Sequence, residues 1–132
     1  MPAPKRFQRQ FAGQAGSISE ARHWIRQAME DLAIAGRTDD VVLIVSELVT
    51  NAILYGEGGV RLTMAIQPDR LYLSVADAGA GGVEKLAFSL TAEHGRGLRI
   101  VEALSDRWGV EWRPGADTVV WAEFDLSEAH RR

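Results

Sequence analysis

Residues 38–56, TDDVVLIVSELVTNAILYG, constrain this chain more than any other stretch. Apolar side chains recur there at helical spacing, Thr38 and two aspartates stand at the start, and Gly56 stands at the end. A side-chain oxygen at a helix start satisfies an orphan N–H, acidic groups there oppose the helix dipole, and glycine takes the left-handed stop. The stretch falls short of the roughly 20 apolar residues of a membrane span. It therefore predicts a helix packed on something else, and the rest of the chain has to supply that layer.

Two pairs of strands supply it. Residues 60–66 (VRLTMAI) and 71–77 (LYLSVAD) alternate in polarity around the turn Pro68-Asp69-Arg70, which predicts an antiparallel hairpin. Residues 108–113 (WGVEWR) and 118–125 (TVVWAEFD) repeat the pattern around 114–117. A short strand is expected at 5–11, with Phe7 and Phe11 on one face. Ser17 with Glu20 resembles a capping box, and it opens an earlier helix expected to end at Gly36. Residues 78–95 carry four glycines and no long period, so they read as a loop with room for a short helix, and a last helix covers about 96–105. The order β-α-α-β-β-loop-α-β-β implies an α+β fold, a two-layer α/β sandwich whose mixed, mainly antiparallel sheet carries helices on one face. The 132 residues suit a single domain.

Bulk properties narrow the function. A net charge of −3 gives no push toward nucleic acid or an anionic membrane. There is no cysteine, hence no disulfide or thiolate-bound metal. The start, MPAPKRFQRQF, lacks the apolar centre of a signal peptide, and a cytoplasmic protein is the expectation. Trp108, Trp112 and Trp121 are expected in the core or at an interface, with at least two of them in the core.

Three polar features need a purpose. On a helical wheel Glu47 and Asn51 fall at about 300° and 340° from Ile44, one turn apart on one face, with Leu43 and Leu54 beside them. That puts a carboxylate and an amide inside an apolar band. Either Glu47 meets solvent or an arginine while Asn51 bonds within the core, or both face a hard cation such as Mg²⁺ and a reacting hydroxyl. Asp77 ends an apolar strand and precedes AGAGG. It either turns the chain or accepts from an exocyclic amine such as adenine's, with Gly79 and Gly81 admitting a flat ring. His94-Gly95-Arg96-Gly97-Leu98 opens a helix, where free N–H groups suit phosphate. The run is neither a Walker loop nor a dinucleotide fingerprint, and His94 and His23 read as ordinary loop and surface residues.

In this order and spacing, ELVTNAILYG, VADAGAGG, HGRGLRIVEALSDRWGV and TVVWAEF resemble the ATPase domain shared by gyrase, histidine kinases and mismatch-repair proteins. More narrowly they resemble small anti-sigma-factor serine kinases. The likeness runs from about residue 7 to 126. It implies Glu47 as catalytic base or as the residue orienting the attacking group, Asn51 as the Mg²⁺ ligand and Asp77 as the adenine-reading carboxylate. It further implies Gly79 and Gly81 as the first glycine box, Gly95, Arg96, Gly97 and Leu98 as the phosphate-contacting second box, and residues 82–94 as a lid over ATP. The function implied is an ATP-dependent serine/threonine kinase that modifies an anti-sigma-factor antagonist and binds a sigma factor. The alternative is an ATP-binding regulatory module without phosphotransfer. A detached domain phosphorylating histidine or hydrolysing ATP is the weaker third. Kinases of this kind tend to pair, so a homodimer is an expected assembly, and direct contact with nucleic acid or membrane is not expected. Two departures stand out: Asp117 where the family often has lysine, and glycines where a proline often follows the aspartate.

Overall fold

The structure is a computed structural model that describes residues 5–34, 36–55, 59–77, 96–112 and 117–126. Five strands, β1 (Lys5–Phe11), β2 (Val60–Gln67), β3 (Arg70–Asp77), β4 (Arg107–Trp112) and β5 (Thr118–Asp125), form one sheet in the order β1-β2-β3-β5-β4. Each neighbouring pair is antiparallel. Three helices, α1 (Gly16–Asp31), α2 (Thr38–Tyr55) and α3 (Arg96–Leu104), complete the described elements. This is the α+β sandwich expected from the sequence.

The register shows which face carries the core. Val60, Leu62 and Met64 of β2 lie beside Asp77, Val75 and Leu73 of β3, and Leu71, Leu73 and Val75 lie beside Phe124, Ala122 and Val120 of β5. Apart from Asp77 and Val120 these side chains are buried. Val41, Ile44, Val45, Leu48 and Ala52 of α2 join them in one cluster with Ile25 and Met29 of α1 and Leu98 and Val101 of α3. Fully burying one such side chain contributes about 1.5–3 kcal/mol, which is why α2 sits over the middle of the sheet. Both β2 and β3 lie against it, and α1 and α3 pack on it as well.

Several expectations need correction. The first helix stops at Asp31, not at Gly36. Ala33, at φ 56°, supplies the left-handed residue, and Gly36 takes φ 86° in the connection beyond. Ser17 does not cap that helix. Its hydroxyl donates to the carbonyl of Ala12, and Ala15 stands at the cap without a side-chain bond. Thr38 is the first residue of α2 rather than its cap, and the carbonyl of Arg37 accepts from Val41 N–H at 3.0 Å. Phe7 shares a face with Phe11 but stays 37% exposed, because β1 is an edge strand and the aromatic contact from Trp24 is made with Phe11. Trp108 packs against the core. Trp121 points to the opposite face of the sheet, where it stacks on Tyr72 at 6.4 Å. The side chain of Trp112, the stretch 78–95 where a loop was expected, and residues 127–132 lie outside the described residues.

Candidate functional site

The site is built where α2, the end of β3 and the start of α3 meet the core. Wheel positions put Asp39, Asp40, Leu43, Glu47, Thr50, Asn51 and Leu54 within about 120° on the outer side of α2. Glu47 and Asn51 are half-buried there. Leu43 is 44% and Leu54 63% exposed. The band around the pair is therefore not a buried one. The wall of the core runs through Val42 and Val49 on the other side of the helix, both buried, and leaves the Glu47–Asn51 face at the surface. Thr50 turns its hydroxyl back onto the Ser46 carbonyl at 2.6 Å. It is thereby engaged within the helix, next to the two groups that can act on a ligand. Glu47 and Asp77 both make interactions within the fold, so neither carboxylate is idle.

Asp77 ends β3, the central strand of the sheet. It continues the series Leu71, Leu73, Val75, so it lies on the face turned toward α2. It is half-buried, with Val60 beside it on β2 and Thr118 beside it on β5. A carboxylate fixed at a rigid strand end between two neighbours is well held for reading a donor. Thr118 was not singled out from the sequence. Its hydroxyl belongs to the same row, and knowledge of the β3–β5 register is needed to see it.

The third part is α3. Arg96 and Gly97 form its first turn, and Leu98 is buried in the core. The side chain of Leu98 thus anchors the helix, and what this turn can offer an anion is its backbone N–H groups. Gly79, Gly81 and Gly95 lie outside the described residues, as does the expected lid at 82–94. Asp117 accepts from Arg61 at 2.9 Å, so the strand end beside Asp77 is braced by an ion pair.

Among the described residues no three histidines or carboxylates gather into an all-protein metal cage. The donors that are present, one amide and one carboxylate a turn apart, fit Mg²⁺, which takes most of its ligands from phosphates and water. No helix among the described residues is long and apolar enough to cross a membrane.

Two comparisons with known proteins bear on the chain as a whole. The chain is 36% identical, over 94 aligned residues, to an anti-sigma F factor of Clostridium acetobutylicum, an alignment that covers 62% of this chain and 66% of the relative, just under two thirds of its length. Residues 11–124 match the family described as the histidine kinase-like ATPase domain, a span that takes in all three parts of the site. The chain belongs to the histidine kinase-like ATPase domain family.

Proposed function

We propose that the chain binds ATP with Mg²⁺ between α2 and α3, transfers the γ-phosphate to a serine or threonine of an anti-sigma-factor antagonist, and controls a sigma factor by binding it. The observation that carries this reading is the half-buried Glu47–Asn51 pair on the surface face of α2, with Asp77 on the sheet face turned toward the same helix. The similarity to an anti-sigma F factor supports the partners.

Asn51 offers its amide oxygen to the cation. Magnesium, when bound, neutralises charge on the transferring phosphoryl group, and positioning supplies most of the remaining rate. Glu47, four residues earlier on the same face, accepts the proton of the attacking hydroxyl. Asp77 accepts from the exocyclic amine of adenine, where guanine would present a carbonyl. The family resemblance assigns close approach of the ring to Gly79 and Gly81 and phosphate contact to Gly95, and the backbone N–H groups of Arg96, Gly97 and Leu98 at the start of α3 would face the phosphates. The antagonist's hydroxyl enters from the solvent side of α2, past exposed Leu43 and Leu54.

Calorimetric titration of ATP with and without Mg²⁺ into wild type and Asn51→Ala tests the site. Binding that requires Mg²⁺ and is lost in the variant is expected, and metal-independent binding of equal strength in both would refute it. Transfer of radiolabel to the antagonist tests the reaction. Glu47→Ala should abolish transfer and keep ATP binding. Transfer at the wild-type rate removes Glu47 from the mechanism, and ATP binding by wild type without transfer leaves a regulatory binding module.

A further inference from the structure

Arg37 has no place in the site described above, yet its side chain joins three elements. It stands immediately before α2 and is 17% exposed. One terminal nitrogen, Nη2, donates to the carbonyl of Leu104, the last residue of α3, at 3.1 Å. The other, Nη1, reaches the carboxylate of Asp106 at 3.4 Å and the carbonyl of Asp125 at 3.5 Å. The guanidinium lies over the ring of Phe124, 5.0 Å from its centre. Asp106 in turn accepts the N–H of Asp125 at 2.7 Å. A cation thus sits where the end of α3 presents its orphan carbonyls and negative dipole, and ties that end to the start of α2 and to β5.

The two helices joined this way are the two that carry the cation ligand and the phosphate-facing turn. We propose that Arg37 is a positioning residue for the nucleotide phosphates: it fixes the angle of α3 against α2, and so the placement of the Arg96–Gly97 N–H groups relative to Asn51. This inference rests on the ATP-binding reading. Leu98 and Val101 hold one face of α3 in the core. Apolar burial is non-directional and leaves tilt and slide about that stripe to the polar anchor. The nine residues of α3 make a rod about 13 Å long, so a tilt of about 10° at the Leu104 end moves the opposite end by about 2 Å. A displacement of that size takes an N–H group out of hydrogen-bonding range of a phosphate oxygen, and in catalysis a misplacement of about 1 Å can cost about a hundredfold in rate. Lysine cannot replace Arg37, because a single ammonium neither forks to three acceptors nor stacks on Phe124.

The test compares two ligands in folded protein well below its unfolding temperature. MgATP is titrated by calorimetry, and adenosine, which lacks phosphates, by NMR shift titration, into wild type, Arg37→Lys and Arg37→Met. The expected result is a fall of tenfold or more in MgATP affinity in both variants, with adenosine affinity within twofold of wild type. Equal weakening of both ligands, or no change in either, would show a merely structural arginine and overturn the proposal. Should Arg37→Met fail to fold, Asp106→Asn, which keeps the arginine and removes its carboxylate partner, is expected to lose about threefold for MgATP and nothing for adenosine, and an unchanged MgATP affinity there overturns the proposal as well. Absence of MgATP binding in wild type would refute the ATP site and this inference with it, whereas wild-type binding with unaltered Arg37 variants refutes the role of Arg37 alone.

Discussion

Replacing Ala33 by glycine should stabilise the protein, and the size of the gain can be worked from the end of α1. Ala33 sits at φ 56°, in the left-handed region. The N–H of Ile34 reaches back to the carbonyl of Met29 and that of Ala33 to the carbonyl of Glu30, both at 3.0 Å. These paired closures make a Schellman motif, whose left-handed position is most often glycine. Met29 and Ile34, which flank the closure, are both buried, so the core draws the chain into this turn in spite of the alanine. A side chain held left-handed costs roughly 1–2 kcal/mol. Glycine removes that cost and adds about 0.4–1 kcal/mol of unfolded-chain entropy, so Ala33→Gly should gain about 0.5–1 kcal/mol. For a chain of 132 residues that corresponds to a rise in Tm of about 2–5 °C. Thermal unfolding followed by circular dichroism, with a urea titration to confirm an unchanged m-value, measures it. Gly36→Ala, at φ 86°, is the control of opposite sign and should lose about 1 kcal/mol. A Tm for Ala33→Gly at or below wild type would refute the left-handed closure of α1.

Three further outcomes are expected. In Gly109→Ala the new Cβ would lie 2.8 Å from three atoms of the Trp121 indole. The ring must leave its stack on Tyr72, and a loss of about 1–3 kcal/mol in urea unfolding follows, while an unchanged midpoint would mean the indole swings aside freely. The bond from Arg107 to Asp125 holds that carboxyl below the usual carboxylate range. Its contribution is therefore present above the unfolded pKa of about 4 and is lost as pH falls through the lower folded value, so Asp125→Asn should flatten the decline in urea midpoint below about pH 4, and an identical acid profile would exclude the pair from acid stability. Asp77→Asn should weaken MgATP about tenfold or more, the scale of one hydrogen bond to a charged group, without a comparable loss of fold stability, and unchanged affinity in folded protein would remove Asp77 from adenine recognition.

What was legible in the sequence followed from short-range physics. The β2–β3 hairpin was readable because Leu62, Met64, Leu71, Leu73 and Val75 alternate about a Pro-Asp turn, and the structure extends each strand by a single residue at the turn. The end of α1 was misread because glycine at 36 is a stronger local signal than alanine at 33. The burial of Ile34 decides between them, and that is a tertiary fact. Trp121 could be read from the sequence as core or interface, and only the sheet register decides its face. Alternation along β5 puts Trp121 with Val119, Glu123 and Asp125, the row away from the helices, once Phe124 is known to face them.

The same division runs through the candidate site. Glu47 and Asn51 could be placed on one face of a helix by spacing, because a turn of helix is a local rule. Whether that face is wet could not, because it depends on where α1 and α3 dock along α2. The exposed leucines on either side settle it in favour of an open face. Asp77 was visible as an odd residue at a strand end, while its neighbour Thr118 was not, since forty-one positions separate them and only the β3–β5 register brings them level. Arg37 is the limiting case. It belongs to no motif, it stands between a glycine and a helix start, and its partners Leu104, Asp106 and Asp125 come from two distant parts of the chain. A residue whose role is to hold the ends of other elements has no local signature, because its role exists only after those elements have packed. Residues that touch a ligand are constrained by chemistry and leave spacing patterns in sequence. Those that aim them are constrained by architecture, and under the proposed ATP-binding reading the aim of α3 depends on a side chain at the far end of the helix from the phosphates.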